Sequence, residues 1–123
     1  MREEGAIAVL KIEDVLFASI QIPLHDKLAA CFQQQILEKL EKTGAKGVIV
    51  DISAIDVVDS FITRVIVELG HMASFMGAKV VLVGIRPEIA MTIVELGLDL
   101  KNIYTALNLE RGLALLRQML PSS

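Results

Sequence analysis

The chain has 123 residues, of which 54% are hydrophobic and 22% charged, with a formal net charge of −3. That balance argues against disorder, which needs an apolar-poor, charge-rich chain, and the length suits one domain, spanning 1–123, that buries roughly two thirds of its surface on folding. With no basic run, no Trp, four Phe and one Tyr, the chain has no groove-and-stack platform for nucleic acid.

The start, Met1-Arg2-Glu3-Glu4, lacks the apolar segment of a secretory signal. Charges interrupt the chain well before the roughly 18 apolar residues of a membrane helix. Residues 6–12 (AIAVLKI) and 15–22 (VLFASIQI) are β-prone runs joined by Glu13-Asp14, which predicts a hairpin. Over 26–43, Leu28, Phe32, Ile36 and Leu40 recur at helical spacing with Ala29 and Leu37 beside them, and Gly44 stands where the helix should stop. Residues 47–52 (GVIVDI) are almost continuously apolar, as in a strand covered on both faces. Helical period returns over 60–76 with Ile62, Val65, Ile66, Leu69, Met72, Ala73 and Met76, and Gly77 ends it. Residues 79–85 (KVVLVGI) form a second buried strand. Pro87 opens a helix running to Leu96, and Gly97 stops it. Ile103 to Thr105 reads as a short edge strand, and Asn108 caps a last helix with Leu109, Leu113, Leu116 and Leu120 inward.

Gly44-Ala45-Lys46 before one buried strand is echoed by Gly77-Ala78-Lys79 before the other, 33 residues on. We read this as one helix-to-strand turn used twice. The order ββαβαβα(β)α predicts an α/β fold. Its sheet of about four or five strands is mainly parallel, with the first strand antiparallel at one edge and about four helices packed on it. Val48–Ile52 and Val80–Ile85 should be the central strands.

Catalytic chemistry finds little support. His25 and His71 are the only histidines. His71 lies on the polar side of its helix, where a surface role is the simpler reading. His25, beside Asp26 at a strand-to-helix junction, is explained by helix capping. Cys31 falls between apolar helix positions, which suits a buried or half-buried structural thiol, and a lone cysteine agrees with a cytoplasmic location. Zinc-type spacings, a G-x-G-x-x-G run and a Walker A loop are all missing, so neither a metal nor a cofactor is expected.

The segment 51–64 stands apart. A buried strand ends at Ile52, a loop carries Asp56 and Asp59, and Ser60 opens a helix. On these residues alone, Asp59 or Ser60 is a helix cap. Yet the stretch VIVDISAIDVVDSFITR, a short buried strand leading through an Asp-Ser loop into an amphipathic helix, resembles the STAS (anti-anti-sigma-factor-like) family. The match continues through MGAKVVLVGIRPEIAMTIVELGL, and VLFASIQIPLHD fits as well, so the resemblance covers most of the chain. Within the family, Asp59-Ser60-Phe61-Ile62 and Gly84-Ile85-Arg86-Pro87-Glu88-Ile89-Ala90 most resemble RsbS-type scaffolds of the bacterial stressosome.

The resemblance implies a protein that is not an enzyme, whose serine after the loop aspartate is phosphorylated by a GHKL-like serine kinase. In the stressosome branch it implies a large assembly with sensor paralogues that carry a C-terminal STAS domain. That assembly holds an RsbT-type kinase until phosphorylation releases it. Carried onto this chain, the phosphoacceptor is Ser60, and no acceptor role transfers to Thr63. If the strands are parallel, the loops after residues 22, 52 and 85 gather at one edge. That brings His25, Ser60, Arg64 and Arg86 to one rim, and with Asp56 and Asp59 of the loop before Ser60 these are the expected partner-binding residues. A free anti-anti-sigma factor that binds an anti-sigma kinase directly would share this motif. A nucleotide-binding α/β domain would need a phosphate loop that the chain lacks.

Overall fold

The computed structural model describes residues 7–21, 26–55, 59–97 and 99–120. Strands β1 (Ile7–Ile12) and β2 (Val15–Ile20) form the predicted antiparallel hairpin. Its turn has no glycine; Glu13 itself takes the left-handed position, at φ 55°, which such two-residue turns require. Helix α1 (Asp26–Thr43) leads to β3 (Gly47–Asp51), α2 (Ser60–Phe75) to β4 (Lys79–Val83), and α3 (Pro87–Glu95) to β5 (Ile103–Ala106), followed by α4 (Leu109–Met119). Strand order is β1-β2-β3-β4-β5, and every pairing after the hairpin is parallel.

Parallel pairing obliges each connection to cross back over a sheet face, and helices do this here. The sheet's alternation sorts its residues between two apolar clusters. Leu16, Ala18, Ile20, Val48, Val50, Val80 and Leu82 pack with Leu28, Phe32 and Ile36 of α1, Ile62, Ile66 and Leu69 of α2, and Ile89 of α3. Val15, Ile49, Val81 and Val83 turn to the other face and meet Leu116 of α4. Both predicted central strands are therefore buried on both sides, and Val81 is wholly inaccessible.

Both copies of the Gly-Ala-Lys turn do the same work. Gly44 and Gly77 adopt φ of 68° and 81°, the left-handed conformation that ends a helix at low steric cost only for glycine. Ala45 and Ala78 then turn inward to 4% and 3% exposure. The Lys79 amide donates to the Lys46 carbonyl at 3.1 Å, so the two turns are stitched together.

Element ends differ slightly from the sequence pattern. β4 stops at Val83, not Ile85, because the Gly84 amide leaves the sheet to donate to the Leu107 carbonyl. Met76, expected inward, caps the end of α2 and is 44% exposed. The buried face of α2 includes Gly70 and Thr63 instead. A Cβ on Gly70 would lie 2.6 Å from Ile103 Cδ1 and 2.8 Å from the Asn102 carbonyl oxygen. Alanine favours a helix over glycine by about 1 kcal/mol, but here a backbone atom blocks it. Gly70→Ala should destabilise the fold by about 1–3 kcal/mol in urea denaturation, the opposite sign to helix propensity.

Candidate functional site

Ser19, Asp51, Val83 and Ala106 pair in one row across β2, β3, β4 and β5. The chain leaves this row towards α2, α3 and α4, so the starts of those helices share one rim of the sheet. The rim is interlocked. Ile52 N donates to Val83 O at 3.1 Å, Gly84 N to Leu107 O at 3.2 Å, and Ser53 N to Asp51 Oδ1 at 2.9 Å. Gly84 lies against these groups with no room for a side chain: a Cβ there would be 2.8 Å from Ser53 Cβ and 2.9 Å from Asp51 Oδ1. In the sequence Gly84 reads as part of a strand; its signal is that an isolated glycine in an apolar run often marks a close backbone approach.

The start of α2 settles which residue is the cap. Asp59 has extended backbone (φ −104°, ψ −178°), and its Oδ1 accepts from Ile62 N at 2.8 Å. Its carbonyl accepts from both Thr63 N at 3.1 Å and Thr63 Oγ1 at 3.0 Å. Ser60 is thus the first helical residue rather than the cap. It is exposed, and its hydroxyl has no hydrogen-bond partner among the described residues. Beside it Phe61 is 36% exposed. Arg64 follows one turn on, on the same side of the helix; it is exposed and has no ion-pair partner among the described residues. Thr63 is 2% exposed, which closes it to a modifying enzyme.

Arg86 occupies the cap position of α3 without capping it through its side chain, and Pro87 supplies the first turn. Its Nη2 lies 3.8 Å from Glu88 Oε2 in a solvent-exposed pair. Ser60, Asp59, Arg64 and Arg86 therefore belong to the helices that start at this rim. His25 and Asp56 lie outside the described residues. His71 is surface-exposed, about 16 Å along α2 from Ser60 at 1.5 Å per residue, and its Nδ1 is 2.8 Å from Asn102 Nδ2. Cys31 is half-buried on α1, in a shallow groove of about 470 Å³ that it shares with Ala30, Gln34, Gln35 and Glu38. Neither joins the rim. Among the described residues, His, Cys, Asp and Glu nowhere gather in threes as a metal site, and no helix is long and apolar enough to cross a membrane.

The STAS domain matches this chain over residues 6–111. RsbRA of Bacillus subtilis (strain 168), an RsbT co-antagonist protein, is 30% identical over 113 residues, covering 92% of this chain and 41% of that protein. The chain spans less than half the length of the RsbR proteins it matches. A serine-to-glutamate variant of RsbS from Moorella thermoacetica is 38% identical, with a TM-score of 0.80 over 92% of this chain and 96% of that one. A chain from the molecular architecture of the stressosome, a signal integration and transduction hub, is 37% identical, with a TM-score of 0.72 over 91% and 97% of the two chains.

Because Asp59, not Ser60, carries the cap, the two positions should respond differently. Asp59→Ala should cost about 0.5–2 kcal/mol in thermal or urea unfolding, and Asp59→Asn only a few tenths. A Ser60→Ala protein should unfold within about 0.5 kcal/mol of the parent.

Proposed function

Since the chain belongs to the STAS-domain family, we propose that it is a stressosome scaffold that retains an RsbT-type serine kinase and lets it go once Ser60 is phosphorylated. The observation that carries this reading is the exposed hydroxyl of Ser60 at the start of α2, which has no hydrogen-bond partner among the described residues. Similarity to RsbS and RsbR proteins supports it. Its role is binding, not catalysis. Its partners are sensor paralogues with a C-terminal STAS domain, with which it builds a large cytoplasmic assembly, and the kinase itself. Asp59, Arg64 and Arg86 contribute to the contact surface at the rim, and His25 and Asp56 are further partner-binding residues of this reading.

In the modification step the γ-phosphoryl group of ATP moves to Ser60 Oγ. The new Oγ–P bond forms as the bond to the β,γ-bridging oxygen breaks, ADP leaves, and the hydroxyl proton passes to a base on the kinase. The product carries about −1.5 to −2 charge. The amides of Ser60 and Phe61 have no intrahelical partner and point towards it, and the positive end of the helix dipole favours it. Arg64 can pair with it one turn on. Repulsion from Asp59, at about 6 Å in near-aqueous surroundings, is on the order of 1–3 kcal/mol. The fold absorbs that cost. A partner surface fitted to a neutral hydroxyl beside Phe61 absorbs it far less easily, so the phosphate acts on binding and leaves the fold intact.

The test combines the purified chain with a sensor paralogue and an RsbT-type kinase, with particle mass, phosphopeptide mapping and kinase pull-down as readouts. Mixing should give a large particle, and ATP should place phosphate on Ser60 and free the kinase. Ser60→Ala should bind and never release. Ser60→Asp should weaken retention only partly, since one carboxylate brings about −1 charge and lacks the phosphate's third oxygen. Phosphate elsewhere with Ser60 untouched, release by the Ser60→Ala protein, or no gain in mass would each overturn the proposal.

A further inference from the structure

Among the described residues of the core, Thr63 is the one buried polar side chain. Three helical threonines bond back by one turn: Thr43 to the Lys39 carbonyl at 2.7 Å, Thr92 to the Glu88 carbonyl at 3.0 Å, and Thr63 to the Asp59 carbonyl at 3.0 Å. The first two have water within reach. Thr63 does not, and valine would fill its place without burying a hydroxyl. Its acceptor also differs in kind. The Asp59 carbonyl and the Ser60 N–H belong to a single planar trans peptide, and Thr63 holds that carbonyl twice, through N and Oγ1.

We infer that Thr63 is a positioning residue for Ser60: its hydroxyl fixes the 59–60 peptide plane, and with it the direction in which the Ser60 side chain and amide leave the start of α2. The inference rests on the proposed role of Ser60 as phosphoacceptor. In-line transfer from ATP to Ser60 Oγ, with ADP leaving and the proton passing to the kinase, depends on how the hydroxyl is aimed. A plane held by one bond instead of two aims it less well, which lowers turnover more than it weakens encounter with the kinase.

Two variants of the full chain separate positioning from packing. Thr63→Val keeps the shape and loses the hydroxyl; Thr63→Ser keeps the hydroxyl and loses a buried methyl. Thermal unfolding should rank Val above Ser. Phosphorylation of Ser60 by an RsbT-type kinase with ATP should rank them the other way. For Val, kcat should fall about three- to ten-fold with KM little changed, the factor of one ordinary hydrogen bond, and Ser should restore it. Exchange of the residue 63 amide, which donates to the same Asp59 carbonyl, measured by NMR on the chain alone and corrected for the intrinsic rate of each side chain, should quicken in Val by a similar factor and recover in Ser. Wild-type kcat and exchange in the Val protein would overturn the inference. So would activity that follows stability, with Ser below Val. Should the parent chain carry no phosphate on Ser60, the role proposed for that serine fails, while amide exchange still decides whether Thr63 holds the peptide.

Discussion

Parallel pairing is the constraint on which the site depends. β2, β3, β4 and β5 run in one direction, so their C-terminal ends stand in a single row from Ser19 to Ala106. Helix starts that are distant in sequence then meet at the same edge. Register matters because a slip of one residue exchanges the two faces of a strand, and β3 is apolar on both. Its small residue fixes the choice. Gly47 lies under Leu116, where a Cβ would come within 2.8 Å of Cδ1, and the Asp14 carbonyl holds the amides of Lys46 and Gly47 at 2.7 and 3.3 Å. β3 has one comfortable position, and the row follows from it.

The architecture was legible because its signals were redundant. Helical period, glycine stops and two apolar strands all agreed, and the repeated Gly-Ala-Lys turn tied two of the strands to one geometry. Details at the rim were less so. Gly84-Ile85 continues an apolar run; the isolated glycine signals a close backbone approach, but not that its amide turns aside to bond Leu107. Thr63 sits on the inward arc beside Ile62 and Ile66, but a polar residue at such a position does not register in a count of apolar ones. The serine is the hardest case. An exposed Ser after a capping Asp is a common helix start, so its regulatory reading came from resemblance and not from spacing. His25 is expected at the rim from the parallel order of the strands, and both it and Asp56 lie outside the described residues.

Dividing labour between adjacent residues gives the site its physical character. Were Ser60 the cap, any change to its hydroxyl would disturb the helix start. With Asp59 holding Ile62 N, the Ser60 hydroxyl is left without a hydrogen-bond partner among the described residues. Arg86 belongs to the same rim, and the interlock around Gly84 ties the loops after β3 and β4 into one unit.

The two faces of the sheet are not equally covered. α4 lies over β3, β4 and β5, while on that side of β1 Ala8 is exposed and Leu10 is 57% exposed. Free energies of local opening follow such differences, from near zero where little apolar surface is covered up to the global value in the doubly covered centre. Backbone amides of β3 and β4 should therefore be released to solvent only by complete unfolding. The outer strand β1, open on that face, should exchange its amides at a lower free energy than β3 and β4. The molecule thus has a graded structure, with its most persistent part directly beneath the rim.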